Sequence, residues 1–461
     1  MNRVLVLNYG VRYEINGQIT DTQNRLSNIE LNRFVVASDD NGQINPLANT
    51  LLPLIPVPVV TSKAADYDRS LELPNYHHIA PRVGLAWTVS GKTVIRAGWG
   101  LFFNQAAYNI QTALTQNLPF FFNKSVNPAA TTPIPTLTTE NILLAPQNGT
   151  IGGSALNHNY RAEFADSWSL NVQRQIGSDW VLQAGYFGSH VSGADNSTFQ
   201  NVPTPGPGAI DPRRPDPLLS GYKMIRWDGY SIYHAGTFKV EKRVSRGLTL
   251  DANYTWSKSI DDASDVGTTF SETNIPQDVR NVRAERALSS FDHRHRFVFS
   301  YSYKLPFQHG GRLLQGWTMT GLGSLQSGAP FTVILPTDNA NIGAGPAQRP
   351  NLIADPNVNA PHTAQQWFNT AAFQMPSAFT FGSSGRNVVF AAPEKNLDVS
   401  LSKEAQLKES ARLQFRVEAF NVFNHTNFAD VPGRTAFTST FGRYTAAENP
   451  RQIQLAMKLL F

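Results

Sequence analysis

The segment 289–298 concentrates side chains that could do chemistry. If it forms a β-strand, Asp292, Arg294 and Arg296 lie on one face, because side chains alternate along a strand. His293 and His295 then lie on the other face, where a His-x-His pair could grip zinc or copper. A metal site needs at least a third ligand, and isolated His pairs are more often structural. We therefore predict that the charged residues form a cross-strand ion ladder on the water-facing side of a sheet.

The nearest candidates for a third ligand are His309 and Asp265, and the sequence places neither of them beside the histidines. Asp265 also follows Asp261 and Asp262, and hard carboxylates with this spacing could bind calcium. The stretch lacks the glycine and the distal glutamate of a known calcium loop. The sequence therefore assigns neither a metal site nor a cofactor.

Three arginines stand just upstream of the same segment. Arg280, Arg283 and Arg286 accompany Asp278 and Glu285, and an arginine cluster of this kind could bind an anionic ligand. The alternative is a solvated segment in which the two signs of charge simply keep a loop in water. We keep the three arginines as ligand-binding candidates.

Patterns that would indicate bond chemistry are missing. Ser300 and Ser324 lie in strand-like sequence without a nucleophile elbow, and no His-Glu-x-x-His occurs. The Gly-x-Gly at residues 321–323 precedes no helix, so it does not predict a phosphate-binding loop. We predict that the protein is not an enzyme.

Composition limits the class of protein. The chain has 461 residues, of which 41% are hydrophobic, and its mean hydropathy is −0.28. No run approaches the roughly 18 apolar residues that a membrane helix needs, which excludes a helical membrane protein. The net charge of +5 is scattered along the chain, without the basic run expected of a nucleic-acid partner. The chain also has no cysteine, hence no disulfide framework or thiolate site.

The last eleven residues have a period of two. Apolar residues alternate with Gln452, Gln454, Ala456 and Lys458, and only Leu460 breaks the pattern. The apolar set is Ile453, Leu455, Met457, Leu459 and Phe461. This alternation predicts a β-strand with one apolar face. Because the stripe runs to a terminal aromatic residue, it favours a strand whose outer face meets lipid, with a core strand of a soluble β protein as the alternative.

The same alternation recurs along the chain and predicts about twelve strands. The predicted strands occupy residues 3–14, 83–89, 95–103, 168–176, 180–186, 230–240, 248–256, 297–303, 317–325, 397–401, 413–419 and 451–461. Turns of a few residues alternate strictly with long, turn-rich connections. Up-and-down membrane barrels sort their connections in this way, whereas soluble sandwiches and propellers have no reason to do so. The fold class predicted is therefore an all-β, antiparallel transmembrane barrel with long extracellular loops and short periplasmic turns.

Four segments resemble a known family. They are residues 81–87 (PRVGLAW), 93–103 (TVIRAGWGLFF), 289–298 (SSFDHRHRFV) and 415–428 (FRVEAFNVFNHTNF). They are similar to segments of TonB-dependent outer-membrane receptors, most of all the Oar-like members with a carboxypeptidase-regulatory-like domain ahead of the plug. The terminal Phe461 matches the assembly signal of that family.

The resemblance implies a plugged barrel of 22 strands in the outer membrane of a Gram-negative bacterium. Residues 1–461 would then be the C-terminal portion of the barrel, with the signal peptide, TonB box and plug absent. The expected partners are outer-membrane lipid, the barrel-assembly machinery through the C-terminal strand, and an unknown external ligand. The TonB energy complex would act only through the missing N-terminal part. We also considered closure as a small ring, in which residues 3–14 pair with the final strand.

The function that this resemblance implies is binding and TonB-dependent uptake of an external ligand. Two alternatives remain open: a structural or adhesive outer-membrane barrel that transports nothing, and a secreted all-β protein that binds or hydrolyses carbohydrate.

Overall fold

The protein forms one large antiparallel sheet of twelve consecutive strands, here called the wall. The computed structural model describes residues 4–15, 17–104, 108–121, 151–264, 275–307, 315–343, 348–408 and 411–461. The wall strands are β1 (Leu5–Glu14), β2 (His78–Ser90), β3 (Thr93–Asn104), β4 (Glu163–Ile176), β5 (Trp180–Gln200), β6 (Tyr222–Ser245), β7 (Leu248–Asp261), β8 (His295–Lys304), β9 (Trp317–Gln326), β10 (Glu394–Lys408), β11 (Ala411–Phe420) and β12 (Gln452–Leu460). The predicted number and order of strands are confirmed.

Every wall strand pairs antiparallel with the next one along the chain. Among the described residues, β1 pairs only with β2 and β12 only with β11, so the sheet is open and has two free edges. Closure as a small ring by pairing of the first and last strands therefore does not occur. Within the described ranges, no helix has both the length and the apolar character needed to cross a membrane.

Connection length alternates as the sequence predicts. Connections of at most twelve residues join β2 to β3, β4 to β5, β6 to β7, β8 to β9 and β10 to β11, all at one end of the strands, which we call the short-turn rim. The connections 15–77, 105–162, 201–221, 262–294, 327–393 and 421–451 leave the opposite, long-loop rim. In membrane barrels the long loops face the cell exterior, which orients the wall.

The outer face of the wall is apolar and uncovered. On β12, Ile453, Leu455 and Met457 expose 66%, 67% and 74% of their surface, and on β1 Leu7 and Val11 expose 60% and 72%. A contiguous apolar sheet face of this extent is not stable against water, whereas acyl chains cover it without cost. The predicted apolar face is confirmed, and it lies on the outside of the wall.

The inner face carries the polar half of the alternation. Lys239 and Asp251 approach to 2.7 Å between neighbouring strands, and Arg416 lies 3.3 Å from Glu418 on the same face. All four side chains are at least partly solvent-accessible, so each pair contributes little to stability. The pairs mark this side of the wall as the one that faces water.

Polar side chains interrupt the apolar face at a fixed spacing. His234 and Lys242 lie eight positions apart on β6, as do Lys395 and Lys403 on β10. Eight residues rise about 27 Å along a strand. At a tilt of about 40° this spans about 21 Å across the membrane, close to the roughly 25 Å apolar band of outer-membrane barrels. These side chains therefore mark the two borders of the lipid-facing band.

The border near the short-turn rim combines lysine with tryptophan. Lys242 Nζ lies 4.9 Å from the ring centre of Trp180, and Lys403 Nζ lies 5.4 Å from that of Trp317. Amphipathic pairs of this kind suit the headgroup level, where one part of each side chain is apolar and the other is hydrated.

The long connections fold into a structured layer, here called the cap. It contains the short strands Ser27–Glu30, Arg33–Val36, Val59–Thr61, Ser154–Leu156, Ala287–Leu288, Pro330–Phe331, Asn351–Leu352, Phe373–Gln374 and Val389–Phe390. One α-helix, Tyr108–Thr112, and the 3-10 helices Pro46–Thr50, Leu52–Leu54, Ala113–Gln116, Asp211–Arg213, Val282–Glu285 and Thr370–Ala372 complete it. Ser154–Leu156 and Ala287–Leu288 pair with β6 and β7 and so attach the cap to the wall.

The hydrophobic cores lie in the cap and at the upper strand ends. Phe34, Ile55 and Leu118 belong to one cluster that joins the connections after β1 and β3. Phe331 and Phe368 belong to another, in the connections after β9 and β11. The sequence predicts a long, turn-rich loop here, since Pro53, Pro56 and Pro58 exclude a helix or a central strand from the apolar run 51–60. The run instead contains one short 3-10 helix, Leu52–Leu54, and leads into the edge strand Val59–Thr61, and its buried side chains, Ile55 and Val57, lie between the two.

The lipid-facing assignment predicts opposite effects at adjacent positions of β12. Leu455→Lys places a charge within the apolar band and is expected to destabilise the folded wall by about 2–4 kcal/mol. Gln454→Lys lies on the water side, opposite Glu418, and is expected to change stability by less than about 0.5 kcal/mol. Urea unfolding in detergent micelles, followed by heat-modifiable gel migration, measures both. Equal tolerance of the two lysines would show that lipid does not cover Leu455.

Candidate functional site

A cleft of about 760 Å³ lies at the long-loop rim, where the connections after β9 and β11 leave the wall. Its polar lining consists of Ser290, His293, Gln326, Ser327, Thr332, Asn387, Glu394, Asn396, Asp398, Asn421, Asn427, Asp430, Arg434, Glu448, Asn449 and Gln452. We call this the rim cleft. It lies between the inner face of the wall and the cap.

The segment 415–428 builds one side of the rim cleft. Asn421 folds the chain back on itself, since its Nδ2 donates to the His425 carbonyl and its Oδ1 accepts from the His425 N–H, both at 2.9 Å. The Asn421 N–H in turn donates to Asp398 Oδ1 at 2.8 Å. These bonds attach the upper end of β11 to β10.

Two further asparagines extend this arrangement. The side chain of Asn427 hydrogen-bonds to the backbone of β10 in the way that a neighbouring strand would. Its Oδ1 accepts from the Lys395 N–H and its Nδ2 donates to the Lys395 carbonyl, each at 2.9 Å. Asn424 Oδ1 accepts from the Arg451 N–H at 2.9 Å, just before β12. Asn421 and Asn424 adopt φ values of 50° and 52°, a region that asparagine tolerates better than most residues. The asparagines therefore position the cleft rather than serve as free ligand groups.

The rim cleft is rich in acceptors. Glu394, Asp398, Asp430 and Glu448 form no ion pair with any residue that the structure describes, and Arg434 is the one basic side chain besides His293 in the described lining. Carboxylate and amide oxygens accept hydrogen bonds from hydroxyl and ammonium groups. Phe420 and Phe428 add apolar surface to the same lining. The arrangement suits reversible binding of a polar ligand that brings donors.

His293 is held in a single tautomer. Its Nδ1 lies 2.7 Å from the Ser327 carbonyl and must donate to it, because a carbonyl only accepts. Its Nε2 lies 3.0 Å from Gln326 Nε2 and accepts from that amide. Both ring nitrogens are therefore occupied by protein partners. Among the described residues no group of three or more metal-ligating side chains occurs, and Asp265 and His309 lie outside them.

The predicted face of Asp292, Arg294 and Arg296 is wrong, because β8 begins only at His295. Asp292 is buried in the preceding turn, where it accepts from the Ser259 N–H at 2.6 Å and lies 3.8 Å from Arg294. Arg296 lies on β8 opposite the uncharged Thr255 and Gln326. The structure thus brings Asp292 and Arg294 together and leaves Arg296 apart. Their role in fastening the wall stays a prediction.

The three candidate arginines do not converge. Arg280 donates to the Val202 carbonyl at 2.6 Å and lies 3.8 Å from Asp278. Arg286 lies over the ring of Tyr230 at 5.4 Å, and Arg283 is exposed. Their role in ligand binding stays a prediction.

Two other arginines, which sequence reasoning missed, join the connections after β7 and β9. Arg349 holds the buried Glu285 with both nitrogens, at 2.5 and 3.0 Å. Arg386 donates to the Glu285 carbonyl at 2.9 Å and forms an ion pair with Asp261. More than sixty residues separate each arginine from its acidic partner, so no local pattern reveals these contacts.

The aspartates considered for calcium also have protein partners. Asp261 pairs with Arg386, and Asp262 accepts from the Tyr230 N–H at 2.9 Å. Burial raises the pKa of the Asp262 carboxyl. Both side chains thus serve the junction between β7 and the cap.

The C-terminal residues complete the outer face. Leu459 exposes 52% of its surface and Phe461 96%. A profile of the family described as "Outer membrane beta barrel domain" matches residues 1–454. The chain belongs to this family. The barrel wall therefore lies in the outer membrane of a Gram-negative bacterium, and membrane lipid surrounds its apolar face.

Several solved structures resemble this outer-membrane barrel. The outer membrane transporter YddB from Escherichia coli is 12% identical, with a TM-score of 0.48, over 86% of this chain and 42% of YddB. The ferripyoverdine receptor of Pseudomonas aeruginosa is 10% identical, with a TM-score of 0.41, over 84% of this chain and 33% of the receptor. For the FrpB iron transporter from Neisseria meningitidis the values are 11%, 0.40, 83% and 39%. The chain spans less than half the length of each. No curated protein matches the sequence.

A buried carboxyl lies where the first long connection of the barrel meets the wall. Glu72 is fully buried, and its Oε2 accepts from Gln111 Nε2, while Oε1 has no hydrogen-bond partner among the described residues. Burial raises the pKa of Glu72 to about 7, and the hydrogen bond from Gln111 opposes the rise only in part. Nearby in sequence, His78 is 1% exposed and packs against the ring of Phe103 at 5.0 Å.

Removing Arg349 is expected to loosen the cap. Arg349→Met leaves Glu285 buried without its cation and should cost about 3–5 kcal/mol of cap stability. Trypsin cleavage between residues 327 and 393, followed as a function of urea, measures the loss. Arg283→Met, on an exposed side chain of the same region, is the matched control and should change cleavage by less than about 0.5 kcal/mol. Indistinguishable cleavage of the two variants would contradict a stabilising role of the buried pair.

Cap stability is expected to fall as pH rises through about 7. Glu72 has a higher pKa folded than unfolded, so its stabilising contribution is complete below its ordinary value of 4.5 and is lost above about 7. Hydrogen exchange of residues 70–80 between pH 5 and 8 measures this, with the intrinsic pH dependence of exchange corrected. Glu72→Gln keeps the bond geometry without the charge and should remove the dependence. If that variant kept the same pH profile, the pH dependence of cap stability would belong to another titratable group.

Proposed function

We propose that this chain is the C-terminal part of the barrel of a TonB-dependent outer-membrane receptor, which captures an external ligand at its long-loop rim. The observation that carries this proposal is the rim cleft, a polar cavity between the folded cap and the water-facing side of a lipid-embedded wall. A wall that served only as an anchor would not need a structured cap with its own hydrophobic cores.

The open sheet supports assignment to a larger barrel. In lipid, every backbone N–H and C=O must be hydrogen-bonded, because no water is present to replace a missing partner. β1 and β12 each leave one edge unpaired among the described residues. Further strands are therefore needed on both sides, and the receptor resemblance assigns them to the preceding part of a longer barrel.

The proposed mechanism is ligand capture followed by passage through the barrel. The rim cleft binds the ligand with carboxylate and amide oxygens, and the cap holds these groups in place. A plug supplied by the rest of the receptor then moves under the action of the TonB energy complex. The exposed apolar stripe and terminal ring of β12 present the signal for the barrel-assembly machinery. We propose no bond-making or bond-breaking step.

Transport is tested by measuring which compounds the cells remove from spent culture medium. Cells that express the receptor from its own locus should remove a compound class from the medium, detected by untargeted mass spectrometry. This depletion should stop when the inner-membrane energy complex is inactivated. Glu394→Arg with Glu448→Arg places two cations in the cleft and should reduce depletion at least about fivefold, because each reverses the charge of an acceptor.

Asp40→Arg is the matched control, since Asp40 is an exposed acid of the cap that does not line the cleft. It should leave depletion unchanged at equal surface abundance. Depletion that continues without energy, or no depletion of any compound, would favour a structural or adhesive barrel instead.

A further inference from the structure

Two tyrosine–histidine pairs of the same geometry lie on the outer face of the wall. Tyr186 Oη is 2.8 Å from His234 Nδ1, and Tyr254 Oη is 2.7 Å from His295 Nδ1. In each pair the rings are nearly parallel, with interplanar angles of 12° and 18°. The pairs join β5 to β6 and β7 to β8. Polar side chains are rare where a barrel face meets only acyl chains, so the two pairs indicate a more polar part of the outer face.

Trp168 orients the first pair. Its Nε1–H donates to Tyr186 Oη at 3.4 Å, which favours donation of the tyrosine proton to His234 Nδ1. The indole reaches this position across Gly188, where a Cβ would lie only 2.3 Å from Trp168 Cε2. With Nδ1 accepting, the His234 ring is the neutral tautomer that carries its proton on Nε2. No described residue accepts a hydrogen bond from Nε2, so an N–H donor is left for a molecule outside the protein.

Lys258 lies between the two pairs. It is the direct cross-strand partner of His234, and Trp256, two residues earlier, is the partner of His295. Direct and diagonal partners on one sheet face lie about 5–8 Å apart. Lys258 is exposed and forms no ion pair with any residue that the structure describes. Three nitrogen-bearing side chains therefore lie on one patch, and no acidic residue that the structure describes forms an ion pair with Lys258.

The patch lies at headgroup level on the extracellular side. His234 stands at the long-loop end of the lipid-facing band, and Lys242 stands eight positions away at the other end. Between them the outer face of β6 carries only Gly236, Phe238 and Val240. An anion at this patch would belong to the outer leaflet.

We propose that Lys258, His234 and His295 form a binding site for the phosphate of an outer-leaflet lipid. Lys258 supplies the charge, and the imidazole N–H groups supply directed donors, which together match the tetrahedral oxygens of a phosphate ester. Trp256 exposes 59% of its surface beside the patch and packs against the first acyl carbons of the bound lipid. The site belongs to the wall itself and does not depend on the ligand that the receptor takes up.

The test is lipid binding by the complete receptor that contains this chain, purified in detergent micelles. The probe is a hexa-acylated disaccharide lipid that carries two phosphates, and the readout is tryptophan fluorescence together with native mass spectrometry of the bound lipid. Lys258→Gln combined with His234→Gln is expected to weaken binding at least about tenfold, since two charge-assisted contacts are lost. The same lipid without its phosphates should bind the unaltered chain as weakly as the phosphorylated lipid binds this double variant.

Lys242→Gln is the matched control, because Lys242 lies on the same strand and the same face at the opposite border. It should retain the affinity of the unaltered chain. If the double variant fails to show heat-modifiable migration, Lys258→Gln alone serves in its place, with a smaller loss expected. Equal weakening by Lys242→Gln, equal binding of the dephosphorylated lipid, or full competition by millimolar inorganic phosphate would overturn the proposal.

Discussion

Pairing of the peptide backbone in lipid is the constraint on which the rest of this structure depends. Each wall strand from β2 to β11 satisfies its N–H and C=O groups through its two neighbours, in an antiparallel order that runs from β1 to β12. It also explains why the outer face can be apolar without a protein core beneath it, since lipid rather than protein covers Leu455 and Met457. The same requirement makes the two free edges of β1 and β12 incompatible with an isolated wall.

Stability in water therefore has to come from the cap. Its small hydrophobic clusters bury phenylalanine and aliphatic side chains among connections that are far apart in sequence. Arg349 and Arg386 cross-link two of these connections through Glu285 and Asp261, with little solvent access to any of the four side chains. Desolvation offsets much of the attraction within such buried pairs, whereas removal of one partner leaves a buried charge without its counterion.

The sequence predicts those features of the fold that follow from the two-residue alternation of apolar and polar side chains. Alternation such as that of Ile453, Leu455 and Met457 identifies both the strand and its outward face, because strand side chains alternate whatever lies beyond them. The prediction fails where contacts between residues far apart in sequence determine the position of a side chain. Asp292 continues the alternation of β8 in sequence, yet the Ser259 N–H draws it into a turn. The partnership of Arg349 with Glu285, across 64 positions, has no local signature.

The rim cleft lies next to the free edge of β12. Gln452, the first residue of β12, lines the cleft, and Asn424 fixes the backbone just before it. A strand that pairs with β12 would run directly beside the cleft at this point. The cleft therefore lies near the edge of the wall at which a further barrel strand would pair with β12. Selectivity for a ligand would accordingly be divided between the asparagine-fixed cap described above and the neighbouring strand.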